Sequence, residues 1–167
     1  SQADAKYKRY IGNGAPKHFL SWSNNLTWRN FDLSVFFRGT FGFDVFNMRK
    51  YGMGLQGCGT DNVLRSAYLE DKNIRTGGGV ISSYFLEDGS FIKLENVTLG
   101  YNFTPKNRKL LDNMRIYLSA KNLFTLTGYS GNDPSIIDVN GIQPGVDSNS
   151  AYPTATQLSL GVTLRFK

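Results

Sequence analysis

The last eleven residues sort into two chemically opposite rows, with Leu158, Leu160, Val162, Leu164 and Phe166 alternating without exception against Gln157, Ser159, Gly161, Thr163, Arg165 and Lys167. A period of two is the mark of an extended strand whose successive side chains point to opposite faces. Length constrains the fold as much as period does. A tilted strand needs about 9 to 11 residues to cross a bilayer, whereas strands of soluble proteins average about 5 or 6.

The pattern recurs upstream. Met114, Ile116, Leu118 and Ala120 oppose Arg115, Tyr117, Ser119 and Lys121, and Val97, Leu99, Tyr101 and Phe103 oppose Asn96, Thr98, Gly100 and Asn102. Leu20, Trp22, Leu26 and Trp28 oppose Ser21, Ser23, Asn25 and Thr27, with Asn24 the exception on the apolar side. From Phe31, Leu33, Val35 and Phe37 oppose Asp32, Ser34, Arg38 and Thr40. Ile92 and Leu94 are out of phase with Val97 and Leu99, which calls for a β-bulge near Glu95 or Asn96. These rows predict an all-β chain: an antiparallel transmembrane β-barrel segment of about five spanning strands, occupying residues 1–167 as a single fragment of a larger barrel.

The connections alternate in length. A tight turn at Arg29-Asn30 is followed by a long stretch from Asp44 to Ser83, a short one from Thr104 to Asn113 and a long one from Thr127 to Ala155. In outer-membrane barrels short turns face the periplasm and long loops the exterior, which predicts a periplasmic C-terminus. Trp28, Phe31, Tyr101, Phe103 and Phe166 fall at the short-turn ends, and Phe41, Phe43, Phe91, Phe124 and Tyr152 near the long-loop ends, as two interfacial girdles would.

Composition agrees with this reading. Twelve Phe, nine Tyr, two Trp and eighteen Gly favour strands and turns. Only 40% of residues are apolar and mean hydropathy is −0.32, so a transmembrane helix is excluded. A barrel is not, because its alternating faces cancel in any window average. The net charge of +6 raises the question of nucleic acid, but the cations are scattered; the densest group, Lys106, Arg108 and Lys109, is read as a solvated turn, and no nucleic-acid partner is expected. Cys58 is single, so no internal disulfide or thiolate cage can form, and Ser1-Gln2-Ala3-Asp4 opens no basic and then apolar run, so a signal peptide is expected to have been removed or to lie upstream.

No constellation of residues supports an enzyme. His18 is the sole histidine, which leaves no histidine triad or multi-histidine metal site. Asp133, Asp138 and Asp147 share one loop without EF-hand spacing, and Gly77-Gly78-Gly79 lacks the Lys of a phosphate loop. Asn25-Leu26-Thr27, Asn96-Val97-Thr98 and Asn102-Phe103-Thr104 fit a glycosylation pattern yet lie inside spanning strands. No catalytic residue, metal ligand or cofactor is assigned. Asp88-Gly89 predicts a small hairpin pairing Ile81–Leu86 with Phe91 onward. Arg115, Tyr117, Lys121, Gln157 and Arg165 are expected to line a water-filled wall.

An open five-stranded sheet would leave two edges of backbone groups unpaired, at several kcal/mol per group in hydrocarbon. More strands are therefore expected, supplied by chain upstream of Ser1 or, less simply, by other copies.

Several blocks carry a family resemblance. They are Ile11-Gly12-Asn13-Gly14-Ala15-Pro16-Lys17; Asn30-Phe31-Asp32-Leu33-Ser34-Val35-Phe36-Phe37 with Gly39, Gly42 and Asp44-Val45-Phe46-Asn47; and Leu86 through Tyr101. Further along stand Ser119-Ala120-Lys121-Asn122-Leu123-Phe124-Thr125, Gly131-Asn132-Asp133-Pro134, Pro144-Gly145-Val146-Asp147 and Tyr152-Pro153. In this order they resemble the C-terminal end of SusC/RagA-type TonB-dependent transporters. The resemblance implies a 22-stranded barrel with an N-terminal plug, a SusD-like lipoprotein lid, coupling to the TonB complex through the absent N-terminal part, and import of glycans or peptides across the bacterial outer membrane. Ala155-Thr156 departs from the Arg-Thr pair usual before the last strand. Two other readings remain open at this point: a passive outer-membrane porin or barrel adhesin, and a soluble carbohydrate-binding β-sandwich.

Overall fold

The structure, a computed structural model, describes residues 9–54, 62–65, 68, 81–105, 111–135, 144–148, 152 and 154–167. Among the described residues the regular structure comprises eight strands and one short helix. They are β1 (His18–Trp28), β2 (Phe31–Phe41), β3 (Asp44–Asn47), α1 (Met48–Met53), β4 (Leu86–Asp88), β5 (Phe91–Phe103), β6 (Leu111–Thr127), β7 (Val146–Asp147) and β8 (Gln157–Phe166), with a 3-10 turn at Ser83–Phe85 before β4. Among the described residues no helix is long and apolar enough to cross a membrane. The chain divides into two compact units: Ser1–His18, Phe41–Ser90 and Thr127–Pro153 form one, and Phe19–Thr40, Phe91–Leu126 and Thr154–Lys167 the other.

The second unit is a five-stranded sheet in the order β1-β2-β5-β6-β8. Its long strands run 11, 11, 13, 17 and 10 residues, at or above the length that spans a bilayer. Register keeps like with like. Leu33 faces Leu99, Val35 faces Val97, Ile116 faces Val162 and Leu118 faces Leu160, while Ser34 meets Thr98, Arg115 meets Thr163 and Ser119 meets Ser159. Because the side-chain period is two, every strand that keeps this register presents one apolar and one polar face.

The expected bulge is present. The ladder passes from Phe36↔Asn96 to Phe37↔Leu94 and skips Glu95. That skip returns Ile92 and Leu94 to the face of Val97 and Leu99. The tight turn is also where the sequence puts it: Arg29 adopts φ 54, and Asn30 binds back to β5 through Nδ2 donating to the Asn102 carbonyl at 2.7 Å.

Among the described residues no protein layer covers the apolar face of β8. Leu158, Leu160, Val162 and Leu164 are 71%, 75%, 56% and 47% exposed. Leu20, Trp22, Leu26 and Trp28 on β1 and Leu99, Ile116 and Leu118 on the inner strands are exposed as well. At the short-turn end Trp28, Phe31 and Tyr101 form a run of rings with centroids 6.5 and 4.8 Å apart, as the first girdle requires.

The second girdle holds only in part. Phe124 and Tyr152 are exposed, but Phe43 and Phe91 are 2% and 3% exposed and are core residues, not interfacial ones. Strand-end position alone does not distinguish a ring that meets headgroups from one folded under a loop.

The first unit is built like a small soluble domain. β3 is the centre of a three-stranded sheet, antiparallel to β4 and parallel to β7. Among its described residues Phe43, Val45, Phe85 and Tyr129 are buried apolar side chains, and Phe46, Tyr51 and Phe85 pack as a triad of rings 5.2 to 6.1 Å apart. The hairpin expected at Asp88-Gly89 is corrected by this sheet: β4 pairs with β3, and the residues from Phe91 pair with β2. Asp88 Oδ1 accepts from the Ser90 amide and hydroxyl at 2.9 and 2.6 Å, an Asx turn that redirects the chain from one sheet to the other.

Candidate functional site

In the first unit, the loop unit, the glycine-rich segment Gly12-Asn13-Gly14 is wedged against the start of β3 and the Pro144-Gly145 turn. Asn13 and Asp44 hold each other through two backbone-anchored bonds, Asn13 N to Asp44 Oδ2 at 2.8 Å and Asp44 N to the Asn13 carbonyl at 2.7 Å. Gly14 lies so close to Pro144 that a Cβ would come within 1.9 Å of its carbonyl oxygen. Gly145, at φ +80, then accepts at its carbonyl from the Phe46 N–H at 2.7 Å and leads into the parallel β7. Three stretches far apart in sequence, which read as separate blocks, are thus one knot.

Glu87 on β4 is the electrostatic centre of this unit. Its carboxylate accepts from the Ser130 amide and hydroxyl, both at 2.8 Å, and from Asn47 Nδ2 at 3.4 Å, and it pairs with Lys50 Nζ at 3.4 Å. Burial pushes this carboxyl up, but the Ser130 bonds and the Lys50 charge outweigh it and hold Glu87 below the usual glutamate range. Lys50 also sits 4.5 Å above the Tyr84 ring. Asn47 caps α1 by accepting from Lys50 N at 2.9 Å, so one side chain both starts the helix and ties it to β4.

The loop carboxylates weighed for a metal are committed to neighbours. Asp147 Oδ2 accepts from the buried Tyr129 hydroxyl at 2.5 Å, and burial followed by that bond and charge pushes the phenol well up from its ordinary value. Asp133 accepts from the Ser135 amide and hydroxyl at 2.9 and 2.6 Å. Asp138, Cys58, Gly77-Gly78-Gly79 and the Lys106, Arg108 and Lys109 group lie outside the described residues. Among those described, no three His, Cys, Asp or Glu side chains gather as a metal would need.

Cavities among the described residues of the loop unit include two beside α1. One of 360 Å³ is lined by Asn47, Arg49, Lys50, Leu64, Arg65 and Ser130, with Gly131. The other, of 310 Å³, lies among Arg49, Met53, Asn132, Asp147 and Ser148. Arg49 is fixed by Nη1 donating to Asn132 Oδ1 at 2.8 Å. Nothing in the sequence marks Arg49, Lys50, Arg65 or Ser130, since short irregular segments carry no periodicity; Glu87 lies within the family-like run Leu86 through Tyr101, which by itself gives it no role.

The polar face of the five-stranded sheet is more ordered than a bare wetted wall. Arg115 on β6 clasps Asp32 on β2 with Nε at 3.1 Å and a second bond from Nη2, and Asn102 Nδ2 donates to the same carboxylate at 2.8 Å. The pair spans β5 because Gly100 has no side chain there; a Cβ would meet both Asp32 oxygens at 2.5 Å. Thr98 Oγ1 donates to Ser119 Oγ at 3.1 Å farther along. Lys121 and Gln157 are register partners, and Arg165 lies 3.9 Å from Asp112. Before β8, Asn122 at φ 53 donates Nδ2 to the Ala155 carbonyl, and Thr156 Oγ1 donates to the Asn122 carbonyl at 2.9 Å. This clasp uses only the backbone of residue 155.

No protein-family model matches the chain. Curated relatives include the TonB-dependent receptor P3 of Formosa agariphila, 26% identical over 95% of this chain and 17% of its own length. The TonB-dependent receptor SusC of Bacteroides thetaiotaomicron is 28% identical over 88% of this chain and 15% of its own. Among solved structures, the RagAB peptide importer in its closed-closed state superposes with a TM-score of 0.77 at 24% identity, covering 98% of this chain and 19% of that one. The chain spans about a sixth of the length of these curated relatives. Along nearly its whole length it is similar to the C-terminal part of SusC/RagA-type TonB-dependent receptors, and its fold is that of a stretch of their barrel.

Proposed function

We propose that this chain supplies closing strands and loops of a TonB-dependent outer-membrane importer of glycans or peptides. The observation that carries the proposal is the uncovered row Leu158, Leu160, Val162 and Leu164 on a sheet with a separate polar face. Burying one such side chain is worth about 1.5–3 kcal/mol, so leaving four in water forgoes on the order of 6–12 kcal/mol, comparable to the 5–15 kcal/mol stability of a whole protein. Acyl chains remove that cost. A soluble β-sandwich would bury the same row, so this reading is set aside.

The outer strands β1 and β8 have no further neighbour among the described residues, and their free edges require partner strands inside a bilayer. By the resemblance these come from a 22-stranded barrel enclosing a plug. The names of the relatives, receptors dependent on TonB and a peptide importer, support energised uptake over a passive pore or an adhesin. In this account the short connections and the C-terminus face the periplasm, the long loops face outward beneath a SusD-like lipoprotein, and the chain performs no chemistry.

Topology is tested in the full-length protein with Cys58→Ser as background. A membrane-impermeant maleimide added to intact cells labels Gly128→Cys and reaches Lys167→Cys only after the outer membrane is permeabilised. The opposite pattern contradicts the orientation. Recovery of the protein in the soluble fraction contradicts the barrel, and uptake that continues without TonB contradicts energy coupling.

A further inference from the structure

We infer that the 360 Å³ cavity beside α1 binds an oxyanion carried by the transported solute, an assignment that rests on the importer reading and narrows its substrate class. The cavity's charge is one-sided. Its described lining contains Arg49, Lys50 and Arg65 and no carboxylate. Lys50 is already neutralised by Glu87. Arg49 donates to a neutral partner, Asn132, and Arg65 has no acidic partner among the described residues, so two arginines line the space without an ion pair among those residues.

The remaining polar groups cannot supply the missing negative charge. Asn47 Nδ2 and the Ser130 hydroxyl both point their hydrogens at Glu87, and Asp147, a carboxylate of the neighbouring cavity that accepts from the Tyr129 hydroxyl, forms no ion pair within 4.0 Å with Arg49. Guanidinium is the group suited to a planar, two-point grip on carboxylate or sulfate. The volume lies at the small end of ligand pockets, about 300–1,000 Å³, and fits a single charged sugar or terminal residue.

The test is equilibrium binding to purified full-length protein in detergent, with two matched pairs of probes: glucuronate against glucose, and trialanine with a free against an amidated carboxyl terminus. Inorganic sulfate is the reference ion. The charged member of at least one pair is expected to bind tenfold or more tightly than its neutral partner, and which pair does so identifies a uronate or a peptide carboxylate. Arg49→Gln with Arg65→Gln should abolish the difference at an unchanged melting temperature, and Arg49→Lys with Arg65→Lys should retain part of it.

Equal binding within both pairs, or discrimination that survives the glutamine variant, overturns the inference. So does binding of sulfate alone, which would mark an adventitious ion only. Because no transport is measured, a negative result here leaves the importer reading standing; TonB-independent uptake would remove that reading while leaving the discrimination intact.

Discussion

Arg38 Nε lies 3.2 Å from the carboxylate of Glu95, the residue of β5 that the ladder to β2 skips. The bulge therefore has a partner of its own: the extra residue is retained on the polar side while its neighbours return to the apolar phase. Both side chains are about a third exposed or more, so their pairing contributes no more than about 1 kcal/mol. Removing the inserted residue leaves Leu94 and Val97 two positions apart and on one face, as they already are. Deleting Glu95 from the full-length protein is expected to preserve outer-membrane insertion, whereas deleting Ser159, at a regular position of β8, flips the strand on one side of the cut and abolishes it. Heat-modifiable migration on gels reads both outcomes.

A charge on the lipid face should cost far more than the same charge one residue away. Leu160→Arg is expected to destabilise the folded barrel by about 2–4 kcal/mol if the site lies near the bilayer midplane, and Ser159→Arg by less than about 1 kcal/mol. Denaturant titration of full-length protein in lipid vesicles measures the difference. Equal costs would contradict the assignment of faces.

Within the loop unit, Gly14→Ala places a methyl against the Pro144 carbonyl with backbone on both sides and no flexible side chain to move. It should separate the Gly12–Gly14 segment from the 144–145 turn and loosen β7, increasing proteolysis in the loops while the barrel remains heat-modifiable. Gly128→Ala, whose added carbon meets nothing within 4 Å, serves as the matched control and should behave as the parent protein.

Two groups give the loop unit a pH window. Tyr129 is raised above its ordinary value of 10.0, so the stability it contributes is complete below pH 10 and drains away at higher pH, as the phenol ionises beside Asp147. Glu87 is held below its ordinary 4.5, so its contribution is present above pH 4.5 and is lost as pH falls through its lowered value. Proteolytic resistance of the loops should therefore fall at both extremes. Tyr129→Phe removes the alkaline limb and Glu87→Gln the acid limb. A limb that persists in its own variant would show that another group carries it.

The spanning sheet was legible because its physics is periodic. Each strand's two faces, the bulge at Glu95 and the turn at Arg29-Asn30 follow from alternation and chain direction, and the five strands pair as the phases require. The loop unit was legible only as separate blocks, since contacts such as Asn13 with Asp44 or Gly14 with Pro144 are set by long-range docking of irregular chain. Asp88-Gly89 illustrates the limit: its turn chemistry was read correctly, but the pairing of β4 was decided by the vacant edge of β3 and not by the nearest strand in sequence. Phe43 and Phe91 failed as girdle residues for the same reason.

The most direct measurement concerns β8. Nitroxide labels placed one at a time from Gln157 to Arg165 in the full-length protein, reconstituted in lipid, report contact with acyl chains through oxygen and with water through a nickel chelate. The account predicts a strict two-residue oscillation, with positions 158, 160, 162 and 164 accessible to oxygen and 157, 159 and 163 accessible to the chelate. Low accessibility to both reagents at 158, 160, 162 and 164 would mean that protein covers the leucine row, and would contradict the membrane assignment.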